Sequence, residues 1–158
     1  MSLPTPSPVD QIRRLAGLFR TKHAISSGER AALRRLNPDA PSAAFWSFLA
    51  RVSPELANSL TDASTPRWAS VIQSLATIGV FIEIGSTRPG VAIRRAGVSD
   101  LRLRQFLESP TLRLPGICRF FVQKGQSVDP TTLALYVLWP SPELHADIAR
   151  DFYLTPAP

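Results

Sequence analysis

Fifteen prolines interrupt a chain of 158 residues, and they limit the length of any helix it can form. Proline lacks a backbone N–H and its ring collides with the preceding turn, so it is tolerated at the first position of a helix and disruptive inside one. Most of these prolines fall just outside, or at the first position of, a segment whose apolar residues recur at i, i+3 and i+4. This spacing predicts an all-α chain of about eight short helices rather than a disordered proline-rich one.

Ser7-Pro8 opens the first helix, with Val9, Ile12, Leu15, Ala16 and Phe19 on one stripe. Ser26-x-x-Glu29 has the form of a capping box, in which the serine accepts from one orphan N–H and the glutamate reaches back to another. It starts a short helix through Leu33 and Leu36. Phe45, Phe48, Leu49 and Val52 form the next stripe, ended before Pro54, and Thr65-Pro66 begins a longer helix carrying Trp68, Val71, Ile72, Leu75 and Ile82. From Gly79 to Ile84 the near alternation of β-branched residues admits a strand, for which no pairing strand is evident.

Gly85-Ser86-Thr87-Arg88-Pro89-Gly90 is a turn-rich run between two apolar-periodic halves. It predicts two small helical lobes, 1–84 and 91–158, joined by a linker at 85–90. The stretch from Gly90 to Leu107 is expected to be helical at both ends, with Ser99 as N-cap and Leu103, Phe106 and Leu107 facing inward. Leu114, Ile117, Cys118 and Phe121 make a stripe begun near Pro115 and stopped by Gly125. Asp129-Pro130 and Ser141-Pro142 cap the last two helices.

The window from Arg88 to Lys124 holds 8 basic residues against Asp100 and Glu108, while the rest of the chain holds 10 basic and 10 acidic, so the whole net charge of +6 lies in that window. Basic charge gathered in one segment is the footprint of a polyanion partner, because neutralised phosphates release counterions. Only Lys22 and Lys124 are lysines, and the planar arginine fork can take a phosphate with two parallel bonds. A GC-rich coding sequence yields the same arginine, alanine and proline usage, so composition alone leaves both explanations open.

Helical geometry sorts the arginines further. At 100° per residue Arg102 and Arg104 flank the Leu103/Phe106/Leu107 stripe on opposite sides, so both cannot easily track one backbone. Arg119 falls opposite Ile117 and Phe121 and must project outward. Arg34 and Arg35 end a short helix, where the plain role of a basic residue is to satisfy terminal carbonyls.

Chemistry-bearing patterns are sparse. A single cysteine, Cys118, excludes an internal disulfide and suits a reducing compartment. Cys118 sits among core residues, and with His23 and His145 in no ligand spacing, no metal or cofactor is expected. Asp147 and Asp151 are i, i+4 and can be drawn as an acid/base pair, but spaced acids are ordinarily a solvated face. Phosphate-loop, dinucleotide and nucleophile-elbow motifs are missing. The aromatic residues mostly occupy core-stripe positions, so no base-stacking platform is expected. Met1 to Pro8 has neither a charged start nor an apolar run, and no stretch approaches the roughly 20 apolar residues of a membrane span, so a cytoplasmic location without membrane contact is expected.

Several short motifs stand in a recognisable order: Gly28-Glu29-Arg30-Ala31-Ala32-Leu33-Arg34-Arg35, Ala44-Phe45-Trp46, Pro66-Arg67-Trp68, and Gly90-Val91-Ala92-Ile93-x-x-Ala96-Gly97-Val98-Ser99-Asp100-Leu101-Arg102-Leu103. Arg119, the Val128-Asp129 start and the closing Ile148-Ala149-Arg150-Asp151-Phe152-Tyr153 follow. Over roughly residues 28 to 154 the chain resembles the CasB small subunits of the type I-E CRISPR surveillance complex, Cascade. The resemblance implies an all-helical, two-lobed, non-catalytic protein present in more than one copy, between the CasA large subunit and the CasE head and alongside the CasC backbone filament. It also implies contact with the crRNA–target DNA heteroduplex and the displaced single-stranded DNA. Carried over by position, the backbone-contacting set is Arg34, Arg35, Arg67, Arg102 and Arg119, with Lys124 added. The sequence departs from the family in two places. Trp139-Pro140-Ser141-Pro142-Glu143 stands where relatives often carry basic residues, and Cys118 replaces the basic neighbour of Arg119.

A rival from another class is a free-standing helix-turn-helix regulator, which would prefer one duplex and usually bind as a dimer. No segment presents base-reading Asn, Gln or Arg at the start of a recognition helix.

Overall fold

A computed structural model describes residues 7–21 and 23–158. Residues 1–6, on which the expectation of no signal segment largely rests, and Lys22 lie outside the described residues. Ten α-helices make up the rest: α1 Pro8–Arg20, α2 Ser27–Arg34, α3 Ala43–Val52, α4 Pro54–Ser59, α5 Thr65–Ile78, α6 Pro89–Arg95, α7 Asp100–Glu108, α8 Pro110–Lys124, α9 Thr131–Leu138 and α10 Pro142–Leu154. The protein is all-α. Among the described residues no helix is long and apolar enough to cross a membrane.

Serine caps begin helices where the sequence marks them. Ser7 Oγ accepts from the Asp10 N–H at 3.2 Å, Ser26 Oγ from Glu29 at 3.1 Å, Ser99 Oγ from Arg102 at 3.2 Å and Ser141 Oγ from Leu144 at 3.1 Å. Each satisfies one donor that the first helical turn would otherwise leave unpaired. The capping box at Ser26 is only half made. The Glu29 carboxylate turns instead to Arg51 on α3 at 2.5 Å, since a charged partner outcompetes a backbone N–H that water can reach.

Three boundaries differ from expectation. Pro54 does more than end a stripe, because it stands at the first position of α4, a helix the apolar pattern does not show. Helix α8 begins at Pro110 and runs through Pro115, instead of starting there. Pro115 has no N–H for the carbonyl of Thr111 four residues back, and the hydroxyl of Ser70 on α5 donates to that oxygen at 2.6 Å. A break in one helix thus becomes a hydrogen bond to its neighbour. In the expected linker 85–90, Pro89 and Gly90 are buried and form the first turn of α6.

Helix α5 stops at Ile78, so Ile82 is not on it as expected; the segment from Gly79 to Ile84 forms a 3-10 turn, Gly79–Phe81, and then a single parallel bridge between Ile82 and Val128. Gly79 has φ +54, a left-handed conformation that ends α5 and that a side chain would disfavour. The Val128 N–H donates to the Phe81 carbonyl at 3.0 Å and the Glu83 N–H to the Val128 carbonyl at 2.9 Å. Asp129 tightens the same join, accepting from the Gly85 N–H at 2.8 Å and from Thr131 N–H and Oγ1 at 3.0 and 2.6 Å. Those bonds hold its carboxyl below the usual range against the opposing effect of burial.

Buried side chains from both expected lobes belong to one core, with Phe19, Phe48 and Ile72 continuous with Phe106, Phe121 and Phe152. Helix α5 packs along α8, and α1 against α9, across the 85–90 boundary. At the other end α6 meets α10 so closely that a Cβ on Gly90 would lie 2.3 Å from the Ile148 carbonyl oxygen. Only glycine fits there.

Candidate nucleic-acid interface

The α5–α8 pair organises one face of the molecule. Helix α2 crosses α5, and α7 leads into α8 through Ser109, the C-cap of one helix and the N-cap of the next. These four helices enclose two open grooves on either side of Arg119. The first, about 590 Å³, is lined by Arg102, Gln105, Arg113, Arg119 and Phe120 with Asn37 and Gln73 opposite. The second, about 520 Å³, is lined by Arg30, Arg34 and Arg119 with Val80, Phe81 and Val122. Five guanidinium groups therefore line two adjoining grooves, and among the described residues no aspartate or glutamate lines either.

The chain's arginines differ in what holds them. Arg51, Arg88, Arg104 and Arg150 are in ion pairs, with Glu29, with Asp151, with Asp100, and with Asp147 and Asp151 respectively. A second group ties down helix ends. Arg14 donates to the Val52 carbonyl at 2.6 Å, Arg30 to Phe19 at 2.9 Å, Arg34 to Ala76 at 3.2 Å, Arg67 to Leu138 at 3.0 Å and Arg94 to Thr155 at 3.2 Å. These acceptors lie at the C-terminal ends of α3, α1, α5, α9 and α10, where carbonyls lack intrahelical partners and the dipole is negative. Seven arginines belong to neither group: Arg13, Arg20, Arg35 and Arg95, which line neither groove, and Arg102, Arg113 and Arg119, which do. Each is exposed, and among the described residues none has a carboxylate within 4 Å or a side-chain hydrogen-bond partner.

The structure separates Arg102 from Arg104 as helical geometry requires. Arg104 is bound to Asp100 one turn earlier at 2.8 Å, whereas Arg102 faces the groove with its guanidinium carbon 5.3 Å from the Phe120 ring centroid. Arg34 anchors through Nε, which leaves its Nη edge available, and Arg30 anchors through Nη1. Burial and the nearby charge of Arg34 lower the Arg30 pKa, but a guanidinium this far above neutral stays charged.

Of the sequence-derived set, Arg34, Arg102 and Arg119 line the grooves. Arg35 is exposed at the C-cap of α2, Arg67 binds the end of α9, and Lys124 closes α8 beside Gly97; none of these three lines either groove. Arg30 and Arg113 join the grooves without having been singled out. Arg30 was legible as the i−4 neighbour of Arg34, while Arg113 was hidden by placing the start of α8 at Pro115. Most aromatic side chains are buried in the core, as their stripe positions imply, while Phe120 is half-buried against it and lines the first groove.

Elsewhere the chemistry-bearing residues are engaged. Asp147 pairs with Arg150 at 3.4 Å, and buried Asp151 lies 3.6 Å from both Arg88 and Arg150. Tyr136 donates to the Leu107 carbonyl at 2.5 Å, and His145 Nδ1 lies 3.3 Å from the same hydroxyl oxygen. Cys118 is wholly buried, which pushes its thiol up to about 12. No three His, Cys, Asp or Glu side chains gather as a metal site among the described residues.

No protein-family model, curated protein or solved structure matches the chain.

Proposed function

We propose that this protein is a non-catalytic subunit that binds nucleic-acid backbones without regard to sequence, and that it serves as the small subunit of a type I-E CRISPR Cascade complex. The observation that carries the binding half is the pair of arginine-lined, carboxylate-free grooves beside Arg119. The order of motifs resembling CasB supports the Cascade half. In that assembly its partners are the CasC filament, the CasA and CasE subunits and a second copy of itself, and its ligands are the crRNA–target heteroduplex and the displaced strand.

The physical task suits such a surface. R-loop formation exchanges a DNA duplex for a hybrid of about equal stability, so modest backbone contacts can tip it. Phosphate contacts position nucleic acid while base contacts specify it, and here the guide already supplies the sequence. Arg102, Arg113 and Arg119, which among the described residues have no carboxylate or side-chain hydrogen-bond partner to give up, are the principal contacts. Arg34 and Arg30 add donors already oriented by their backbone anchors.

Competition among scrambled single strands, duplexes and RNA, followed by reconstitution with a guide RNA and the backbone subunits, tests the reading. It predicts no strong preference for any sequence and incorporation into the ribonucleoprotein. A preference of a thousandfold or more for one duplex would instead mark a free-standing regulator.

A further inference from the structure

In the first groove the Arg102 guanidinium lies over the Phe120 ring, and both side chains line the groove. The ring comes from α8 and the guanidinium from α7, at a centroid distance of 5.3 Å. Phe120 is half-buried against the core, so the ring is fixed, while Arg102 above it is exposed. Among the described residues no carboxylate lies within 4 Å of Arg102 to pull it off the ring, and Asp100, two residues earlier on α7, faces away from it and pairs with Arg104. The groove around the pair adds the amide side chains of Asn37, Gln73 and Gln105, and the apolar Leu112, which is 70% exposed. A flat cation backed by an aromatic ring, in a groove with phosphate-binding guanidiniums close by, is what an unpaired base with its attached phosphates requires.

We propose that the Arg102–Phe120 pair is a stacking subsite for an unpaired nucleobase, with Arg113 and Arg119 taking the flanking phosphates. This subsite rests on the nucleic-acid reading above and narrows it to strands whose base faces are accessible. In a continuous duplex those faces are covered by neighbouring pairs, so the subsite favours single strands over duplexes of equal charge. Stacking tolerates any base because every base has a π-face, and amide side chains can each donate or accept, so the preference is for strandedness and not for sequence.

The test compares a labelled oligothymidylate with an abasic strand of equal length and phosphate count. Wild type should bind the thymidylate strand about fivefold or more tightly. Arg102→Lys keeps the charge but removes the plate, and Phe120→Leu keeps an apolar side chain but removes the ring; both should bring the ratio of affinities towards one. Arg119→Ala should weaken both strands and preserve the ratio. Equal affinity of wild type for the two strands, or a ratio that survives in both Arg102→Lys and Phe120→Leu, overturns the subsite and leaves backbone binding standing. Binding of neither strand by wild type overturns the backbone reading and the subsite with it.

Discussion

Single side chains here do their work by closing gaps that the backbone leaves open. Pro115 strips Thr111 of a helical partner and Ser70 replaces it, so Ser70→Ala should leave a desolvated carbonyl and cost about 1–3 kcal/mol, read as a lowered denaturant midpoint. Cys118 supplies a second prediction. Its buried thiol, raised to about 12, should react with a disulfide reagent near neutral pH no faster than the protein unfolds. Between the ordinary thiol value and about 12 the unfolded chain loses a proton that the folded chain keeps. The thiol's contribution to stability is therefore complete below the ordinary value and lost as pH rises towards 12, and Cys118→Ala should flatten that fall in a pH series of unfolding midpoints. At this scale the sequence is partly legible. It told which flank of α7 each arginine occupies, but not that Asp100 would claim Arg104, because that choice depends on rotamers.

Helices were legible where a cap or a proline coincided with a stripe of apolar residues, as at Ser7, Ser26, Ser99 and Ser141. Helix α4 escaped because its 6 residues bury little beyond Leu56 and show no period. The true start of α8 is not legible, because a proline inside a helix looks like a start until the neighbour that accommodates it is known. The close contact of α6 and α10 was hidden for the same reason, since Gly90 among turn formers reads as loop. Gly90→Ala puts a methyl against backbone atoms that cannot swing aside. It should cost about 3 kcal/mol, the upper end of typical overpacking, in a denaturant titration. A stability equal to wild type would show that α6 and α10 part easily.

For the molecule as a whole, arginine serves two ends besides ion pairing, and Arg30 and Arg34 serve both. One set bonds helix C-termini in the way Arg67 bonds Leu138 across 71 positions of sequence, and Arg67→Ala should lower stability by about 1 kcal/mol in the same titration. The other set lines the grooves. The charge window from Arg88 to Lys124 pointed to Arg102 and Arg119, but Arg30 and Arg34 reach the same face only because α2 crosses α5, a long-range packing choice that periodicity does not encode. The most direct measurement is the salt dependence of single-strand binding for wild type and for an Arg102→Ala/Arg113→Ala/Arg119→Ala variant. Each phosphate contact on a single strand contributes about 0.7 to the slope of log affinity against log salt. The wild type should weaken steeply with salt, and the triple variant should show a slope shallower by about 2, three contacts at that value each. The same slope in both proteins would contradict the placement of these arginines on phosphates.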